Sequence, residues 1–182
     1  SQADPYEPST EVDINALVSE VLALVNAQFQ ATSGARVVVA TAPAVMQLVE
    51  KGKIRLQDPV ANYWPEFQAH GKDPITVHQL LTHYSGLPAG FGPQPKWSGY
   101  ASALKKIAAE KPVSIPGTLF LYSDLNFIVL GELVSRVSGR PLDVFCAESL
   151  FEPLGMKDTG FRPPEARLAR LAHTQYKKRP DG

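Results

Sequence analysis

The chain has 182 residues, 44% of them apolar, and its 18 basic side chains cancel its 18 acidic ones. That is one domain's worth of polypeptide with enough apolar surface for a core, so disorder is excluded, and the absent basic excess leaves no footprint for a nucleic-acid backbone. The lone Cys146 makes neither an internal disulfide nor, by itself, a thiolate metal site, and no apolar run approaches the ~20 residues that span a bilayer.

Taken in order, Ser1-Gln2-Ala3-Asp4-Pro5 has neither a basic n-region nor an apolar h-region, which suits a cytoplasmic chain or an exported one already processed. Residues 12–29 place Ile14, Leu17, Val18, Val21, Leu24, Val25 and Phe29 at helical spacing, and Gly34 stops that helix. The β-branched run Arg36-Val37-Val38-Val39 predicts a short strand. A buried helix follows over 42–50, ended by Gly52. Residues 58–65 predict a proline-bracketed turn, and Thr76 caps a short helix through Thr82. The Gly/Pro-rich stretch 85–99 is a long loop of the kind that carries function. Helices are expected over 100–110, over 123–137 with Ser123 as its cap and Gly139 as its left-handed stop, and from Pro141 to Leu150. The polar tail from Tyr176 holds Lys177-Lys178-Arg179, read as a solvated patch. No repeat or linker divides the chain, so residues 1–182 are read as one domain.

Three stretches stand out together: Val45-Met46-Gln47-Leu48-Val49-Glu50-Lys51-Gly52-Lys53-Ile54 with Asp58-Pro59-Val60; Ile75-Thr76 through Leu80-Leu81-Thr82-His83 and Ser85-Gly86-Leu87-Pro88; and Pro116-Gly117-Thr118 with Tyr122-Ser123-Asp124-Leu125-Asn126-Phe127 and Leu130-Gly131. In order and spacing they resemble the serine β-lactamase-like family of class C β-lactamases, DD-peptidases and related esterases. Phe151-Glu152-Pro153-Leu154-Gly155-Met156 and Thr159-Gly160-Phe161 agree in order and spacing. The implied fold class is α+β, the helical part of a β-lactamase/transpeptidase-like fold with an incomplete antiparallel sheet. The implied activity is acyl transfer through a serine nucleophile, with no cofactor and no metal.

In that family a Ser-x-x-Lys pair opens a buried helix, because positions three apart share a helical face and let the amine reach the hydroxyl. A tyrosine relays the proton and backbone N–H groups hold the oxyanion. The resemblance makes Tyr122 the catalytic tyrosine and Asp124 a substrate-binding residue, standing where Asn is commoner; Asp keeps an acceptor but loses the amide donor. On their own residues, Tyr122 simply precedes a helix and Asp124 complements its dipole. Counting back without gaps puts Ala35 at the serine position and Val38 at the lysine position, and neither can do the chemistry. The expectation preferred to that count is that Arg36-Val37-Val38-Val39-Ala40 is the family's first core strand, with a segment missing between Ala40 and Thr41 and with the C-terminal strands also missing. Val37 to Val39 would then be an edge open to self-association.

A literal Ser-x-x-Lys occurs at Ser102 and Lys105, but helical projection sends both away from Tyr100, Leu104, Ile107 and Ala108, into water where nothing lowers the lysine pKa. His78 and His83 have the wrong interval for one helical face, while His70 and His173 lack nearby carboxylates, so no metal site is expected. Cys146, between Phe145 and Ala147, reads as a buried inert thiol. The Gly90 to Gly99 loop lacks phosphate-loop spacing. Two readings stand: a serine hydrolase of β-lactam, peptide or ester substrates represented incompletely, or a non-catalytic helical remnant with at most a binding role. The expected partner of the first is a small acyl substrate, with neither nucleic acid nor membrane.

Overall fold

A computed structural model describes residues 35–91, 98–161 and 165, with side chains from residue 40 onward. The helix expected over 12–29, Gly34, the loop residues 92–97, His173 and the basic tail lie outside the described residues.

The first described element corrects the strand expectation. Residues Ala35–Glu50 form one helix, α1, which takes in Arg36, Val37, Val38 and Val39 and carries Pro43 inside it. The physical reason is that β propensity measures fit to neighbouring strands rather than an intrinsic backbone choice. A lone strand would leave its N–H and C=O groups unpaired, whereas a helix pairs them within the segment. Among the described residues the only β pairing is an isolated antiparallel bridge between Pro59 and Thr76. Val37 to Val39 therefore present no strand edge, and the antiparallel sheet has no counterpart among the described residues. Beyond Pro43, the α1 core face is Ala44, Val45 and Leu48, and Gly52 ends the helix region at φ 65°.

Short turns follow at Val60–Asn62 and Pro65–Gly71, the first of them inside the turn predicted over 58–65. Helix α2 (Val77–Leu81) opens with a reciprocal capping box: the Gln79 N–H donates to Thr76 Oγ1 at 3.2 Å and the Thr76 N–H donates to Gln79 Oε1 at 3.0 Å. Helix α3 spans Tyr100–Ala109, with Ala103 and Ile107 buried.

Helix α4 (Asp124–Ser138) is the centre of the fold. It buries Leu125, Phe127, Val129, Leu130, Leu133 and Val134 together with the polar Asn126 and Glu132, because α1, α2, α3 and α5 all pack on it. Gly139 closes it at φ 71°, its N–H donating to the Ser135 carbonyl. Ser123 holds the N-cap position, but its hydroxyl does not cap; it donates instead to the Pro88 carbonyl at 2.6 Å. Helix α5 (Leu142–Cys146) runs on into a π turn at Ala147–Phe151, so the helix expected from Pro141 is present with a widened last turn.

Two loops are laced together in front of α4. The Val113 N–H donates to the Gly86 carbonyl, Gly117 to Tyr84, Leu121 to His83 and Asp124 to Ala89. Gly86 permits the approach: it sits at φ 75°, and a Cβ there would lie 2.2 Å from the Ser114 carbonyl oxygen. These bonds fix where the chain carries Tyr122 into α4.

Candidate active site

Tyr122 and Asp124 stand at the head of α4. Tyr122 is 48% exposed, and Asp124, exposed in the first turn, meets the positive end of the helix dipole. Burial pushes the Tyr122 phenol above its ordinary value of 10.0, and the Asp124 carboxylate adds to this by its charge and by accepting the phenol's hydrogen bond. Tyr122 is therefore a phenol at neutral pH, with its O–H given to the Asp124 carboxylate.

His83 supports this pair. Its backbone is left-handed at φ 61°, and its ring lies against Tyr122 with centroids 4.6 Å apart and against Phe127 at 5.4 Å. Nδ1 receives the Ser123 backbone N–H at 3.1 Å and lies 3.1 Å from Asn126 Nδ2. A backbone N–H can only donate, so Nδ1 carries no proton and the ring is the neutral Nε2–H tautomer. That choice also orients Asn126, with its amide nitrogen toward the ring and Oδ1 accepting from Ser85 Oγ at 2.6 Å. Ser85 Oγ in turn accepts from the Leu87 N–H at 3.1 Å. Sequence reasoning weighed His83 only as a metal ligand and missed Asn126 and Ser85 as members of the site. The signal was present in the Thr82-His83 and Ser85-Gly86 matches, but the contact between His83 and Asn126 spans 43 positions of sequence.

The other sequence candidates sit elsewhere. On α3, Lys105 is exposed as expected, whereas Ser102 is half-buried rather than fully solvated. Tyr100, expected in the core, is 59% exposed, although its hydroxyl donates to the buried Glu132 carboxylate. Cys146 is fully buried, and burial pushes its thiol up to about 12. His70 and His78 are both exposed, and among the described residues no three His, Cys, Asp or Glu side chains come together to hold a metal ion. Nor is any described helix long and apolar enough to cross a membrane. An open groove beside α5, lined by Val144, Phe151, Met156 and Phe161, includes neither Tyr122 nor Asp124.

Comparison with known proteins matches residues 26–182 to the family model described as Beta-lactamase. An N-acetylmuramyl-L-alanine amidase of Bacillus subtilis is 34% identical over 157 residues, covering 75% of this chain and 36% of the amidase. The structure of a β-lactamase/D-alanine carboxypeptidase from Yersinia pestis, complexed with citrate, superposes with a TM-score of 0.63 at 29% identity, covering 72% of this chain and 40% of that one. A family VIII carboxylesterase superposes at 0.62, also at 29% identity, covering 74% of this chain and 38% of the esterase. The chain spans under two fifths of the length of the curated relatives it matches first, 39% and 36%. A family model that accounts for most of the sequence, with these helices superposing on such neighbours, leaves one assignment: the chain belongs to the β-lactamase family of serine hydrolases.

Proposed function

We propose that this chain is the helical part of a serine acyl-transfer hydrolase site in which Tyr122 and Asp124 form one wall, and that these 182 residues do not themselves supply the nucleophile and its amine. The observation that carries this reading is the unbroken helix over Ala35–Glu50. Within that helix the ungapped count sets Ala35 at the serine position of the family's Ser-x-x-Lys pair and Val38 at the lysine position. A methyl group and an isopropyl group can neither attack a carbonyl nor accept a proton.

The rest of the wall keeps a binding chemistry. The Tyr122 O–H is held by the Asp124 carboxylate and reaches an acyl oxygen or leaving group by exchanging that partner, while the exposed Asp124 carboxylate offers only acceptors, suited to a substrate N–H. An amide-bearing acyl compound, β-lactam or peptide, fits this pair better than a simple ester, which has no N–H to give. The amidase and carboxypeptidase names among the relatives agree with that choice. The second reading, a non-catalytic member that binds such compounds, rests on the same Ala35 and Val38.

The test is intact-mass measurement after incubation with a labelled penicillin and with a fluorophosphonate. The expected result is an unchanged mass with both reagents. A stable mass increase overturns the proposal, and its position on a peptide map would show which hydroxyl reacted, Ser102 included.

A further inference from the structure

His83 binds two donors through one atom. Nδ1 faces the Ser123 N–H at 3.1 Å and the Asn126 amide at 3.1 Å, and the ring is packed against Tyr122, Phe120 and Phe127. Ser123 is the residue between Tyr122 and Asp124, so this bond fixes the backbone that aims both side chains. An imidazolium carries a proton on each nitrogen. A proton on Nδ1 would meet the Ser123 N–H head on. The Asn126 amide can turn to offer its oxygen, with Ser85 Oγ accepting in its place; a backbone N–H cannot turn.

We propose that His83 is the positioning residue of the Tyr122-Ser123-Asp124 segment, holding it only while Nδ1 is bare, so that protonation of this ring releases Ser123 and with it Tyr122. What is held is a backbone geometry; that the release disarms a substrate-binding wall rests on the reading of Tyr122 and Asp124 given above. The left-handed φ of 61° at His83 is a second sign that the position is over-determined by its contacts. Tyr122 is the titratable group stacked on the ring, and Asp124, at the head of α4, is the charged group whose field reaches it. Burial lowers the His83 pKa below 6.5, and Asp124 opposes this. The neutral ring is thus the folded form, and the hold is complete above 6.5 and lost as the pH falls from there through the lower folded value.

The experiment follows the Ser123 amide and the His83 ring by NMR in the whole chain, from about pH 8 to about pH 4.5, with far-UV circular dichroism alongside. At the upper end the ring nitrogens should show bare Nδ1 and protonated Nε2. Through the His83 titration, protection of the Ser123 amide from solvent exchange should fall by about tenfold or more while helix content holds. His83→Asn keeps an acceptor near the Nδ1 position, tolerates the left-handed backbone and does not titrate. It should keep Ser123 protected across the whole range. His83→Gly suits the backbone but has no acceptor, and should leave Ser123 unprotected already at the upper end. Unchanged protection through the His83 titration, persistence of the transition in His83→Asn, or loss of helix content with the same midpoint would each overturn the proposal. None of these readouts involves acyl transfer, so the covalent-labelling result leaves them untouched.

Discussion

Lys72 shows how one side chain can decide a loop's position. Its side chain is buried, and Nζ donates to three carbonyls: Ala69 at 2.7 Å, Ala108 at 2.9 Å and Glu110 at 2.7 Å. Every ammonium proton has an acceptor, and two of those acceptors belong to the negative end of α3. The Phe67 ring adds a face 5.4 Å from the charge. Burial draws the ammonium pKa below its usual 10.5, with Glu110 and Asp73 acting against that. The three hydrogen bonds exist because an unpaired charge here would cost more than the site could supply. Lys72→Met keeps the stem's packing and leaves three carbonyls without their donor. It should lower the unfolding free energy by about 2–4 kcal/mol, read as a shift of the urea midpoint at unchanged slope. A shift below about 0.5 kcal/mol would mean that water replaces the ammonium without cost.

At the scale of elements, the informative contrast is between glycines that share a backbone conformation and differ in surroundings. Gly52 and Gly86 both have positive φ, 65° and 75°, but Gly52 has open space where a Cβ would go and Gly86 has the Ser114 carbonyl oxygen at 2.2 Å. Gly52→Ala should therefore cost only the left-handed strain of about 1–2 kcal/mol. Gly86→Ala must also push back a backbone carbonyl at the point where the Val113 N–H bonds the Gly86 carbonyl, so its cost should exceed that of Gly52→Ala by about 2 kcal/mol or more. Equal costs, measured by thermal unfolding of both variants, would show that the two loops separate easily. The same elements show what the sequence makes legible. Thr76 before a short helix, and Gly139 after a helical stripe, are local signals, and the caps they announce are there. The valines at 37–39 are a local signal too, but their strand preference depends on a neighbour the described chain does not provide, and the segment is helix. Ser123 stands at the expected cap position while its hydroxyl turns to Pro88, a partner 35 residues away that local sequence could not announce. The motif resemblance is what singles out Tyr122 and Asp124 as candidates; the His83–Asn126–Ser85 chain behind them is made by tertiary packing, which motif spacing does not show.

Across the whole molecule, α1 and α5 meet over α4, and Cys146 lies at that junction. Its sulfur is 3.8 Å from the Ala40 carbonyl oxygen, linking α5 to the front half of α1, and the side chain is fully buried. Burial pushes the thiol up to about 12, with Asp143 adding to the effect, so almost no thiolate exists at neutral pH even before access is considered. Exposing it requires α1 to leave α4 and α5, which parts the core residues Val45 and Leu48 of α1 from the cluster that holds Leu133 and Phe145. These side chains belong to the apolar cluster that joins the described helices, so the opening that admits a reagent should be nearly the global one. The expected outcome is that alkylation of Cys146 under native conditions slows by the full folding equilibrium constant, and that its dependence on urea has the same slope as global unfolding followed by circular dichroism. If labelling proceeds with a much smaller slope, α5 and its π turn open separately from the rest. The helical layer would then consist of two cooperative units rather than one.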